Sequence, residues 1–268
     1  MVEHMNEANF NVIGKPVARL DARNKVSGQA LFPGDLSMPG MLHMKTLFAE
    51  RPHASILRLD TSKAEAYPEV VAVFTASDVP VNECGQQKPD QPVLCGPGSE
   101  KAGADAVRFV GDQIALVVAI TEEAAGAVRD LIEIEFEDLP IVTDPVTALR
   151  SDALLIHPEL GNSNVSVHYK ICKGDVKAGF AQADVVIESE YRLPFQEHTY
   201  LQPEAGLTYI DEQGRVTVQC GGQWPHTDRA QIAHTLGLPE EQVRVIYPAI
   251  GGAFGERENM SVQIEVQE

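Results

Sequence analysis

Apolar and polar positions alternate most clearly in two places. "SILRLD" (55–60) and "IEIEFE" (132–137) have the period of two expected of half-buried strands. Between them, "VVAVFTA" (70–76) and "DQIALVVAI" (112–120) are nearly unbroken apolar runs. The first suits a buried strand, and the second reads as an apolar strand. "TSKAEAY" (61–67) reads as one or two helical turns with Thr61 or Ser62 as N-cap. Thr121 is placed to cap "EEAAGAVRDL", whose Ala125 and Val128, with Ile132 beyond, fall on one helical face. Residues 112–137 therefore predict a strand–helix–strand unit, closed by Leu139-Pro140, and an α/β or α+β module.

The pattern is then interrupted twice. Residues 81–106 are rich in Pro, Gly, Gln and Asp and predict a long loop. Residues 141–165 read as a linker or extended crossing segment. After that a helix is expected over 175–182 and a strand over 184–193. A hairpin is expected over 207–220, turning at Asp211-Glu212-Gln213-Gly214. A helix over 227–237 ends at Gly237, and a strand over 242–248 leads into "GGAFGERENM" (251–260). No internal repeat or low-complexity stretch interrupts this order.

Composition narrows what such a chain can do. Among 268 residues, 39 Asp and Glu outweigh 21 Lys and Arg, for a formal charge of -18. This surface repels polyanions and argues against nucleic acid or an anionic membrane as a partner. No apolar run reaches the roughly 18 residues of a membrane span, and the polar start "MVEHMNEANF" does not read as a secretory signal. The four cysteines, Cys84, Cys95, Cys172 and Cys220, form no C-x-x-C pair. They read as buried or incidental thiols of a cytoplasmic protein, with no iron–sulfur or zinc site from this chain alone.

The glycine loop is the chemical feature that stands out. It follows a strand, so a ligand can approach its backbone closely. Its spacing is neither G-x-G-x-x-G nor a P-loop, which disfavours an NAD-dependent dehydrogenase. Taken alone, such a turn is structural more often than not.

Four stretches in order change that reading: "RFVGDQIALVVA" (108–119), "GDVKAGFAQADVVIE" (174–188), "PFQEHTYLQPEAG" (194–206) and "GGAFGERE" (251–258). Together they resemble the molybdenum-binding subunits of the xanthine dehydrogenase and aldehyde oxidoreductase family over nearly the whole chain. The resemblance implies an α+β chain. A polar lead-in (1–25) precedes an α/β hammerhead domain (26–145), and a linker (146–165) leads to the incomplete beginning of the first molybdopterin-binding domain (166–268). It implies a cytoplasmic oxidoreductase component, a molybdenum hydroxylase that inserts water-derived oxygen into an N-heterocycle or aldehyde. The cofactor would be molybdopterin or its cytosine dinucleotide form. Iron–sulfur clusters and FAD are expected on partner chains only. The expected partners are the remaining molybdopterin-binding polypeptide, an iron–sulfur subunit and an FAD subunit.

The same resemblance assigns residues. Gln196 corresponds to the family glutamine that hydrogen-bonds near the metal's oxygen ligand, a role suited to a neutral amide. Gly252, Ala253, Phe254 and Gly255 form the loop beside the cofactor, with Phe254 also lining the substrate pocket. Glu258 matches an acidic residue that contacts the heterocycle in purine-oxidising members. The competing readings are a surface turn for Gln196, core packing for Phe254, a tight turn for the glycines, and a solvated charge or an Arg257 salt bridge for Glu258. Glu256 stands where the family more often has glycine and is expected to crowd the loop. His198 and His226 are read as structural, because the pterin rather than histidine holds the family metal. The family's catalytic glutamate lies far downstream, and nothing in this chain matches it. Two functions follow: a subunit completed by a second polypeptide, or a catalytically silent module that keeps the fold without the cofactor.

Overall fold

A computed structural model describes residues 11–258. Two antiparallel three-stranded sheets and three helices make up the first part. In chain order these are α1 (Ala22–Val26), β1 (His43–Phe48), β2 (Ala54–Asp60), α2 (Ser62–Glu65), β3 (Val70–Thr75), β4 (Ala106–Val107), β5 (Gln113–Ala119), α3 (Glu122–Arg129) and β6 (Glu133–Asp138). One sheet has the order β1-β5-β3 and the other β4-β2-β6. The sequence's strand–helix–strand unit is thus split. β5 and β6 belong to different sheets, and every pairing in both sheets is antiparallel.

β5 explains why its sequence is continuously apolar. It is the central strand, and both of its faces are covered. Ala115 and Val117 pack with Ala64, Val128 and Ile132 from the helical side. Leu116, on the other face, meets Val79, Val93 and Leu94. Ile114 joins Ala54, Ile56, Cys95 and Val107. Burying such side chains contributes about 1.5–3 kcal/mol each, so this strand anchors the first part. β3, expected to be buried, is instead an edge strand. It pairs only with β5, and Val71 is exposed.

Local signals account for the boundaries. Thr121 Oγ1 accepts the Ala124 N–H (3.2 Å) and caps α3 as expected. Neither Thr61 nor Ser62 caps α2 with its side chain. Asp60 does that work, accepting from Ser62 N (3.1 Å) and Ser62 Oγ (2.6 Å). A bulge between Ile56 and Arg58 breaks the alternation of β2, which leaves Leu57 exposed while Ile56 and Leu59 face the core.

The 81–106 loop is held by a residue that sequence patterning does not flag. Asn82 is buried. Its side-chain oxygen accepts Val93 N and Leu94 N (both 2.9 Å), and its amide donates to Leu94 O and Ser99 Oγ (both 2.9 Å). Together with the Cys84–Gln91 backbone bridge, this side chain closes a loop rich in Pro and Gly.

The second part contains α4 (Pro145–Ala148), α5 (Val176–Gln182), β7 (Gly206–Ile210), β8 (Val216–Cys220), α6 (Pro225–Thr235) and β9 (Val243–Ile246). The β7–β8 hairpin turns as expected. Gly214 has φ 76°, and Asp211 accepts from Gln213 N (2.9 Å), Arg215 N (3.0 Å) and the Arg215 guanidinium. α6 crosses from β8 to β9, which run parallel, and packs Ile232 and Ala233 against Val218, Cys220 and Val243. Gly237, with φ 64°, ends it, and Leu238 N bonds back to Ala233 O (2.8 Å).

One expected element is missing. Residues 184–193 form no strand, and Val185, Ile187, Tyr191 and Leu193 are exposed. Alternation specifies a strand only where another strand supplies the ladder, and among the described residues none does. Among the described residues, no helix is long and apolar enough to cross a membrane.

Candidate functional site

Because β8 and β9 are parallel, the segments that follow them leave the sheet at one end, where open sheets commonly bind ligands. Gly221-Gly222 follow β8, and residues 247–258 follow β9. The two segments fit closely. A Cβ on Gly221 would sit 2.7 Å from Arg257 Nη1, and one on Gly222 would sit 2.3 Å from Tyr247 Oη. Only glycine allows that approach. Gln223 N donates to Arg257 O (3.1 Å), and Ala249 N to Leu31 O (3.1 Å), so a segment from the first part also braces the loop.

The loop itself is strained. Gly252 and Gly255 have φ 113° and 102°, and between them Phe254 has φ 53°. A bulky side chain in the left-handed region costs of order 1–3 kcal/mol and persists only where its surroundings enforce it. Phe254 is 76% exposed, so it is not core packing. Gly252, Ala253, Phe254 and Gly255 present four successive backbone N–H groups with no acceptor among the described residues.

A second segment, 198–204, is fastened to this loop. Outside, His198 Nδ1 lies 2.7 Å from Glu256 Oε2. Glu256 therefore does not crowd the loop; its exposed side chain turns outward to His198. Inside, Arg257 is 2% exposed. Its Nη1 donates to Glu204 (3.0 Å), its Nη2 to Gln202 O (2.8 Å) and its Nε to Gly252 O (3.2 Å). Its guanidinium carbon lies 4.3 Å from the Tyr200 ring centroid. Tyr200 Oη donates to Glu204 (2.6 Å), and burial together with that carboxylate pushes its phenol up to about 12. Gln202 Oε1 accepts Gly251 N (2.7 Å), while its buried Nε2 has no partner among the described residues.

The residues singled out from sequence are thus placed unequally. Gly252, Ala253, Phe254 and Gly255 form one loop. Gln196 is exposed two residues before the His198 tie, and its amide donates to Glu197 O (3.3 Å) rather than to the loop. Glu258 is half-buried at the loop's end, and Arg257 pairs with Glu204 rather than with it. His226 lies exposed in the first turn of α6. Arg257, Tyr200, Gln202 and Glu204 escape the sequence reading. Their signal is faint: an arginine between two glutamates, and a Glu two residues beyond a Gln.

A molybdopterin-type group fits these residues in kind. Four amides on a glycine loop and a buried side-chain amide behind it, all without an acceptor among the described residues, are donors suited to the oxygen-rich groups of a pterin cofactor.

Comparison with known proteins agrees. Residues 27–140 match the family model described as "Aldehyde oxidase and xanthine dehydrogenase, a/b hammerhead domain", and residues 156–267 match "Molybdopterin cofactor-binding domain". A Bacillus subtilis protein named as a probable subunit of xanthine dehydrogenase is 40% identical over 254 residues, 94% of this chain and 33% of the relative. The nicotinate dehydrogenase large molybdopterin subunit of Eubacterium barkeri is 37% identical over 256 residues, 95% of this chain and 58% of the relative. Among solved structures, the aldehyde oxidoreductase from Desulfovibrio gigas superposes with a TM-score of 0.82 at 29% identity, covering 93% of this chain and 28% of that one. The chain thus spans between a third and somewhat over half of these curated relatives' length. It belongs to the aldehyde oxidase and xanthine dehydrogenase family, with an α+β fold that joins the family's hammerhead domain to molybdopterin cofactor-binding sequence.

Proposed function

We propose that this chain is a component of a molybdenum hydroxylase, an oxidoreductase that hydroxylates an N-heterocycle or an aldehyde with oxygen from water. The observation that carries this reading is the 251–255 loop: strained, rich in glycine, with four backbone amides that find no acceptor among the described residues, at the end of a parallel strand pair. The hammerhead (26–145), the linker (146–165) and the molybdopterin-binding portion (166–268) are the proposed units. When bound, the molybdopterin group supplies the redox chemistry that withdraws electrons from the substrate carbon.

This chain's residues do the positioning. The N–H groups of Gly252, Ala253 and Gly255 hold the cofactor's polar edge, and Gln196 adds a neutral amide that orients without adding charge. The exposed Phe254 ring offers its edge or face to a flat substrate. Glu258, at the loop's end, faces the ring nitrogens if the substrate is a purine and holds or takes up a proton there. The cofactor is molybdopterin or its cytosine dinucleotide form. The partners are the rest of the molybdopterin-binding polypeptide, an iron–sulfur subunit and an FAD subunit, all in the cytoplasm.

The test is to purify the complex through a tag on this chain and assay purines and aromatic aldehydes in heavy-oxygen water. Product carrying the label is the expected result. Molybdenum-loaded complex that turns over neither class would sink the proposal.

A further inference from the structure

We propose that Arg257 is a positioning residue that aims the Ala253 N–H away from the protein interior, toward the cofactor side of the loop. The inference rests on the loop being the pterin-facing element, as proposed above. Its geometry follows from one peptide plane. The described residues contain no cis peptide, so the Gly252 carbonyl and the Ala253 N–H point in opposite directions. Arg257 Nε holds that carbonyl at 3.2 Å from within a site where Arg257 is almost fully buried, so the N–H on the other side of the plane must point out of it.

The guanidinium is itself fixed from several sides. Glu204 takes Nη1, the Gln202 carbonyl takes Nη2, and the Tyr200 ring covers its face. Arg257's own carbonyl accepts Gln223 N. The bare Gly221 leaves room for the head group, since any Cβ there would lie 2.7 Å from Nη1. A planar fork reaches two carbonyls and a carboxylate at once, which an ammonium cannot do in the same way. Charge balance alone would need only Glu204. The two backbone carbonyls are what tie the 202–204 segment to the loop.

The amides to watch are Gly251, which donates to Gln202, and Gln223, which donates to Arg257 O. Hydrogen exchange on the full chain compares wild type with the double variant Glu204→Gln/Arg257→Met, which leaves no buried charge unpaired. We expect both amides to exchange at least about 10-fold faster while β8 and α6 stay protected. Molybdenum retention by the purified complex should fall in parallel. Wild-type exchange at both amides would overturn the proposal and leave Arg257 as a charge partner of Glu204.

If the double variant does not fold, Arg257→Lys keeps the charge opposite Glu204 but cannot bridge both carbonyls, and the same two amides are read. Loss of β8 protection in both variants would also overturn it, by making Arg257 a residue of the fold. A wild-type complex without molybdenum would defeat the proposed function and leave the exchange result standing. Unchanged exchange in a molybdenum-loaded enzyme would defeat only the role of Arg257.

Discussion

Arg257 and Glu258 are neighbours in sequence and differ in environment. One is sealed under Tyr200, and the other ends the described loop half-exposed. Sequence reading singles out the second as the residue of interest and admits the first only as its salt-bridge partner in a competing reading. The loop is legible because three glycines around a phenylalanine after a strand are rare. The clamp is not, because nothing local tells a buried arginine from a solvated one. Its partners, Tyr200 and Glu204, lie more than 50 residues away. If the complex oxidises purines, Glu258→Gln should lower kcat/KM on purines by roughly 10² to 10⁴ and leave simple aldehydes little changed, because aldehydes have no ring nitrogen to engage. Equal losses on both classes would make Glu258 a support of the loop. Gln196→Ala should cost about 10² in turnover with molybdenum content preserved, as removal of one preorganised hydrogen bond does. Matching losses of metal and activity would instead make it a cofactor-retention residue. Tyr200 gives a pH signature. Its folded pKa, about 12, lies above the ordinary 10.0, so its contribution to stability is full below the ordinary value and is lost as pH rises through about 12. Urea unfolding at stepped alkaline pH should show that loss in the wild type and less of it in Tyr200→Phe.

At the scale of elements, periodicity finds most of what the chain forms. It places β5, the cap of α3, the β7–β8 hairpin and the Gly237 stop of α6. It fails where an element depends on a neighbour that sequence does not reveal. β3 reads as buried but is an edge. The strand over 184–193 has the right alternation and no partner among the described residues. Which sheet a strand joins is equally invisible, so the strand–helix–strand unit comes apart between two sheets. The 81–106 loop is legible as a loop, but not as an ordered one, because its order rests on non-local pairings, among them the four hydrogen bonds of the buried Asn82 side chain and the Cys84–Gln91 backbone bridge. Asn82→Ala would strand two buried N–H groups, at a cost on the order of 3 kcal/mol. A fall in the urea midpoint with an unchanged m-value would show it. A variant as stable as wild type would mean that water replaces the side chain.

For the whole molecule, the exposed apolar surface bears on partners. The chain spans 33% of the Bacillus subtilis relative and 58% of the Eubacterium barkeri one. The stretch from 185 to 201 presents Val185, Ile187, Tyr191, Leu193, Phe195 and Leu201 to solvent, an apolar surface of the kind proteins reserve for contact. If the chain works as one component of a complex, as proposed, then alone, even with molybdenum cofactor supplied, it is expected to show no hydroxylase activity on xanthine, hypoxanthine or aromatic aldehydes. Turnover by the isolated chain would overturn that expectation. The most direct measurement of the central claim is elemental and pterin analysis of the complex purified through this chain from cells supplied with molybdate. Molybdenum and pterin stoichiometric with the chain are the expected result. An intact complex carrying neither would contradict the claim and leave a silent module of the same fold.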